Sequence, residues 1–223
     1  MLRHALAIAA KDLRIELRAK EVIPTMTLFG ALVAVLSSIS LFVDEETGRK
    51  VAPGVLWIAI AFSGTLGLSR TWGREREEGA LRAVLLSHAT PAAIFFGKGI
   101  GAMVFVLITE LVVAPIVAVL LHAPVLEHLW PFVALVLLGT FGFVAAGTLF
   151  GALVARTRAR DLLLAVVLYP LVSPALLCGA VATRDLLGGT PVDQLYDWFR
   201  MLAIFDLVFL GGGITLLGVL LSE

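Results

Sequence analysis

The chain has 223 residues, 60% hydrophobic and 15% charged, with 17 Lys and Arg balanced by 17 Asp and Glu. A mean hydropathy of +1.01 excludes a soluble domain, whose polar surface needs about 25% charged residues. Zero net charge excludes a global field that would recruit nucleic acid or an acidic substrate. Long uncharged apolar runs recur throughout and mark an integral membrane protein.

The first stretch, residues 1–22, places Leu2, Leu6, Leu13 and Leu17 at helical spacing with charges around them. This pattern predicts an interfacial amphipathic helix. Arg3, Lys11, Asp12, Arg14, Glu16, Arg18 and Lys20 break any signal-peptide core, so the spans are expected to direct insertion. Six spans follow, near Pro24–Val43, Val51–Ser69, Gly99–Leu121, Leu129–Ala155, Leu162–Val181 and Met201–Leu221. Each reaches the roughly 20 helical residues that a hydrocarbon core demands. Pro24, Pro53, Pro91 and Pro131 suit helix starts, while Pro115, Pro170 and Pro174 should kink their spans. Gly97 and Gly101, like Gly147 and Gly151, are spaced for close helix packing, and Gly211–Gly213 invites tight packing or local bending.

Lys and Arg set the orientation. Arg3, Lys11, Arg14, Arg18, Lys20, Arg70, Arg74, Arg76, Arg82, Lys98, Arg156, Arg158 and Arg160 fall on one side, against Arg49, Lys50, Arg184 and Arg200 on the other. Both termini are therefore expected in the cytoplasm. One all-α membrane domain covers 1–223, with a cytoplasmic segment at 70–98 and an outer-face connector at 182–200 that carries short helices and interfacial Tyr196, Trp198 and Phe199.

The densest charge lies in "GREREEGALRAVLLS", residues 73–87. Arg74, Glu78 and Arg82 stand at i, i+4 and i+8, so the central carboxylate can pair both ways. Leu81, Val84 and Leu85 form an apolar stripe beside them. Thr90 and Pro91 then read as the cap and first turn of a helix entering span three. The segment is an ordered helical protrusion or an ordinary solvated connector.

"REREEGALRAVLLSHATPAAIFFGK" resembles the segment after the second span of type-2 ABC exporter permeases. "APGVLWIAIAFSGTLGLSR", "LGTFGFVAAGTLFGALVARTR" and "VVLYPLVSPALLCGA" resemble the haem exporter protein B family (CcmB) more narrowly. The likeness spans roughly residues 52–180. It implies a coupling helix in which Arg74, Glu75, Glu77, Glu78, Gly79, Leu81 and Leu85 meet an ATPase subunit. It also implies a non-catalytic permease subunit in the bacterial inner membrane that works in cytochrome c maturation. The implied partners are a CcmA-like ATPase, a CcmC-like haem-handling subunit, a small membrane subunit, a haem chaperone, lipid and a second copy of the chain. Haem would reach the chain only through that complex. ATP would sit on the partner, because the one Gly-Lys (Gly97-Lys98) is followed by Gly99 and no phosphate-cradling loop exists.

Among polar residues, Glu110 lies mid-span, where a carboxylate costs roughly 2.5–3.5 kcal/mol. It is a functional acid, or it fills the backbone gap at Leu111 that Pro115 opens; the resemblance implies an apolar residue there. Asp206 is expected about one turn beyond interface depth in span six, snorkelled or paired near Arg200. His122 and His128 bracket the link between spans three and four and are candidate outer-face haem contacts, set against the ordinary reading of solvated loop histidines; His4 and His88 are weaker candidates. The lone Cys178 excludes an internal disulfide, a multi-cysteine metal site and a c-type haem attachment motif. No metal site and no nucleophile–base pair is expected. The alternatives are an ABC permease for a drug, lipid or polysaccharide, and a proton-coupled carrier that uses Glu110.

Overall fold

A computed structural model describes residues 1–41, 44–77, 90–154, 157 and 160–222, with backbone alone at 41, 73–77, 160–161 and 217–222. Among these residues every regular element is a helix. The helices are α1 (Leu2–Ala19), α2 (Val22–Leu41), α3 (Glu45–Glu77), α4 (Pro91–Leu120), α5 (Leu129–Val154), α6 (Arg160–Leu187) and α7 (Tyr196–Ser222), with 3-10 turns at Val125–His128 and Val192–Leu195. Six of them, α2 to α7, contain stretches long and apolar enough to cross a membrane.

The helices outrun the hydropathy-based limits wherever charges can pair along them. Asp44 starts α3, its carbonyl accepting from the Gly48 N–H at 2.9 Å, and the Thr47 hydroxyl holds its carboxylate pKa below the ordinary value. Glu45 with Arg49 and Glu46 with Lys50 then bridge one turn apart, both at 2.6 Å, as i,i+4 pairs should. Pro53 therefore lies two turns inside the helix rather than at its start. Thr90 caps α4 as expected, its hydroxyl accepting from the Ala93 N–H at 3.3 Å with Pro91 in the first turn. Helices α4 and α6 run unbroken through Pro115, Pro170 and Pro174. Residues 182–187, expected in a connector, continue α6, and α7 begins five residues earlier than the expected span.

Helices α3 and α5 form the interior. In their spans 72% of residues are buried, against 22% in α2 and 11% in α7. Small residues make this possible. A Cβ on Gly147 would stand 2.2 Å from Leu68, and one on Gly64 would stand 2.5 Å from Phe143. Lipid solvates leucine as well as protein does, so close backbone approach decides which faces turn inward.

Helix α1 docks on α4 with Ala5, Ala9, Asp12 and Glu16 as its buried face. Leu2, Leu6 and Leu17 of the expected leucine face point outward, more than half exposed. Lys20 closes the helix in the left-handed region at φ 52, its N–H reaching the Glu16 carbonyl. The Glu16 side chain then accepts from the N–H groups of Val22 and Ile23, at 2.8 and 2.9 Å, capping α2. Glu16→Ala strands those two donors and should cost about 1 kcal/mol, within the usual range for a lost cap. Melting of the purified protein in detergent should fall by a few degrees, with Glu16→Gln in between. An unchanged melt for Glu16→Ala would refute the capping role.

Candidate functional site

The residues proposed for coupling begin in the last turn of α3, whose backbone carries Arg74, Glu75 and Glu77. Glu78, Gly79, Leu81 and Leu85 lie outside the described residues, as does the Arg74–Glu78–Arg82 ladder. Immediately before this turn the structure holds a feature that sequence reasoning missed. Lys98, on α4, is 1% exposed. Its Nζ lies 2.9 Å from Asp12 Oδ2 on α1 and 5.6 Å from the centre of the Trp72 ring on α3. Lys11 approaches the other Asp12 oxygen at 3.2 Å. Trp72 is wedged against Gly151, where a Cβ would stand 2.5 Å from the indole. Four helices thus meet around one buried ammonium. A buried charge persists only when paired, and removing one partner leaves the other stranded. The available signal was the i, i+4, i+7, i+11 stripe of Ala5, Ala9, Asp12 and Glu16, on the face away from Leu2, Leu6 and Leu17.

Two acids occupy the interior at mid-depth. Glu110 is 5% exposed and sits ten residues from the end of α4, about 15 Å along the helix. Its Oε1 accepts from the Thr140 hydroxyl on α5; its Oε2 is buried without a partner. Glu110 therefore reaches across to a neighbouring helix rather than into the gap at Leu111. Asp206 sits ten residues into α7, nearly three turns from its start. It lies against Gly142 of α5, where a Cβ would meet its Oδ1 at 2.4 Å, and that oxygen also lacks a partner. Arg200 does not reach it. The guanidinium is largely exposed, 4.0 Å from Asp197 and stacked 5.8 Å over Tyr196. Thr140 and Gly142 are two residues apart, so the acids approach α5 from different faces.

His122 is exposed in the left-handed region at φ 54, just past α4. His128 ends the following 3-10 turn, half-buried. Among the described residues no three His, Cys, Asp or Glu side chains are grouped to hold a metal ion, and Cys178 is a free, buried thiol. Near this end of the bundle an open groove of about 380 Å³ runs between α3 and α6, floored by Pro53, Gly54 and Ile58 with Lys50 and Arg184 at its rim. An apolar cavity of about 170 Å³ lies between α4, α5 and α7, lined by Phe95, Met103, Phe141 and Leu210.

Among the described residues, an all-helical bundle with six membrane-length helices defines a multi-span membrane protein. A family model described as CcmB protein matches residues 3–211, nearly the whole chain. The chain belongs to the CcmB family. It is 32% identical to heme exporter protein B of Paracoccus denitrificans over 193 residues, covering 85% of this chain and 87% of that protein. Identity to heme exporter protein B of Rhodobacter capsulatus is 29%, covering 80% and 81%. That to the protein of the same name in Pseudomonas aeruginosa is 24%, covering 90% and 89%.

Proposed function

We propose that this chain is the membrane subunit of an ABC complex for haem handling in cytochrome c maturation. ATP is hydrolysed by a separate CcmA-like subunit, and the energy enters through residues 74–85. It is used on the outer face to release a haem-loaded chaperone. Haem is cargo here and not a resident cofactor. The complex includes a CcmC-like subunit, a small membrane subunit and a second copy of this chain, in the bacterial inner membrane with both termini cytoplasmic. Family membership over residues 3–211 carries the reading. Two further observations support it. Thirteen of the 17 Lys and Arg fall on the side of the charged segment, as the positive-inside rule expects of a cytoplasmic face. The charged end of α3 is also continuous with one of the two most buried spans.

The test is copurification. The complex isolated from native membranes should contain an ATPase, and Glu77→Lys, Glu78→Lys or Gly79→Pro should reduce its recovery at least tenfold. Intact binding in those variants would refute the coupling role. Deletion of the chain should abolish c-type cytochromes; normal cytochromes would refute the haem assignment and leave a permease for another substrate. The buried, half-satisfied Glu110 favours one second reading, a proton-coupled carrier. Transport in proteoliposomes without any ATPase would establish it.

A further inference from the structure

We propose that Asp12, Lys98 and Trp72 form a joint that fixes the register of α1 against the charged end of α3, so that a load reaching that end also moves α1. The coupling part rests on the reading above; the joint itself does not.

The need for such a joint follows from what α1 lies on. Its contact with α4 is a close one, built on Ala5 and Ala9 and on the glycines of α4, with Ile8 seated at Gly97. A Cβ on Gly97 would stand 2.7 Å from Ile8 and 2.8 Å from the Ala5 carbonyl, and one on Gly101 would touch Asp12 at 3.6 Å. Small residues allow close approach, and such apolar packing is less directional than a hydrogen-bonded ion pair. The charge-assisted hydrogen bond within a short buried ion pair is directional and is lost on a displacement of about 1 Å, which is how buried polar pairs set register elsewhere. The Asp12–Lys98 contact at 2.9 Å supplies that lock. Trp72 covers the ammonium and is itself held in the Gly151 notch, so the lock is built onto the residue that precedes the charged turn. One turn further along α1, Glu16 holds the first N–H groups of α2. A single helix outside the six membrane-length helices is thereby tied to the ends of α2, α3 and α4.

The experiment uses the complex copurified from cells that express the chain with its native partners, comparing wild type with Asp12→Asn, Lys98→Gln and the apolar double variant Asp12→Leu/Lys98→Met. All should retain the ATPase and an unchanged KM for ATP. Cytochrome c formed per ATP hydrolysed should fall at least fivefold in each, including the apolar double, whose packing is kept. Amide exchange of the chain alone in nanodiscs should rise at least tenfold in residues 2–19 of both single variants, with α5 unchanged. Exchange at wild-type levels would overturn the joint, and so would full coupling in the apolar double. Failure of that double to fold would assign the pair to stability alone and also overturn it. If wild type binds no ATPase, the functional reading fails, while the exchange result still decides the joint.

Discussion

Trp57→Ala is expected to destabilise the protein by about 3–5 kcal/mol, the range for emptying a buried aromatic site. The indole is 2% exposed and joins three helices. It projects from α3 into a slot between Gly139 of α5 and Gly179 of α6, where a Cβ would approach the ring to 2.2 and 2.5 Å. Its Nε1–H donates to the Thr183 hydroxyl at 3.1 Å. Glycine on both sides leaves the neighbours no means of collapsing into the vacated space, so the cavity term should persist. Trp57→Phe fills most of the slot but loses the hydrogen bond to the Thr183 hydroxyl, at a cost of about 0.5–1.5 kcal/mol. Gly139→Val approaches the slot from the other side and overpacks it, because Gly179 prevents the ring from retreating. Thermal and denaturant melts in detergent should rank Trp57→Ala below Trp57→Phe below wild type. A loss under about 1 kcal/mol for Trp57→Ala would mean that the slot does not organise the core.

The second large effect concerns Glu110, where two substitutions should act in opposite directions. Thr140→Val removes the donor to Oε1 and leaves a buried carboxyl with neither oxygen served, since Oε2 already lacks a partner. That should cost about 1–3 kcal/mol. Glu110→Leu removes the unmet group altogether, and the Thr140 hydroxyl can turn back to its own helix, as Thr109 does to the Phe105 carbonyl. Its stability should equal or exceed that of wild type. The double variant closes the cycle, and a coupling energy near zero would refute the contact. Glu110→Gln separates structure from function: a normal melt with lost cytochrome c maturation makes Glu110 a functional acid, and a normal melt with full maturation makes it structural.

The number of membrane-length helices, their order and the Thr90–Pro91 helix start were legible because twenty apolar residues and a capped proline each carry a local physical meaning. The helix ends were less so. Hydropathy stops at the first charge, whereas Glu45–Lys50 and Arg70–Glu77 remain helical beyond it. The start of α7 was placed late for the same reason, since the helix begins at Tyr196 and not at Met201. The leucine periodicity of α1 identified a helix, and Leu2, Leu6 and Leu17 stand exposed; what went unread was the opposite face of Ala5, Ala9, Asp12 and Glu16 that packs on α4. Leucine spacing alone does not say which face packs on the protein, because lipid would solvate leucine as well as protein does. Partners such as Asp12 with Lys98, Trp57 with Thr183 and Glu110 with Thr140 are separated by 86, 126 and 30 residues. Local pattern does not encode such pairs.

The unbroken length of α3 has a mechanical consequence. Its 33 residues make a rod of about 50 Å, well beyond a hydrocarbon core of about 30 Å. One tip bears Arg74, Glu75 and Glu77, and the other bears the Glu46–Lys50 pair beside the groove shared with Arg184. Pivoting such a rod by about 5° on its midpoint swings each tip by about 2 Å in opposite senses. A push received at one surface would therefore widen or narrow a crevice at the far surface with no relay of side chains between them, and the stiffness of a single helix would set the gain.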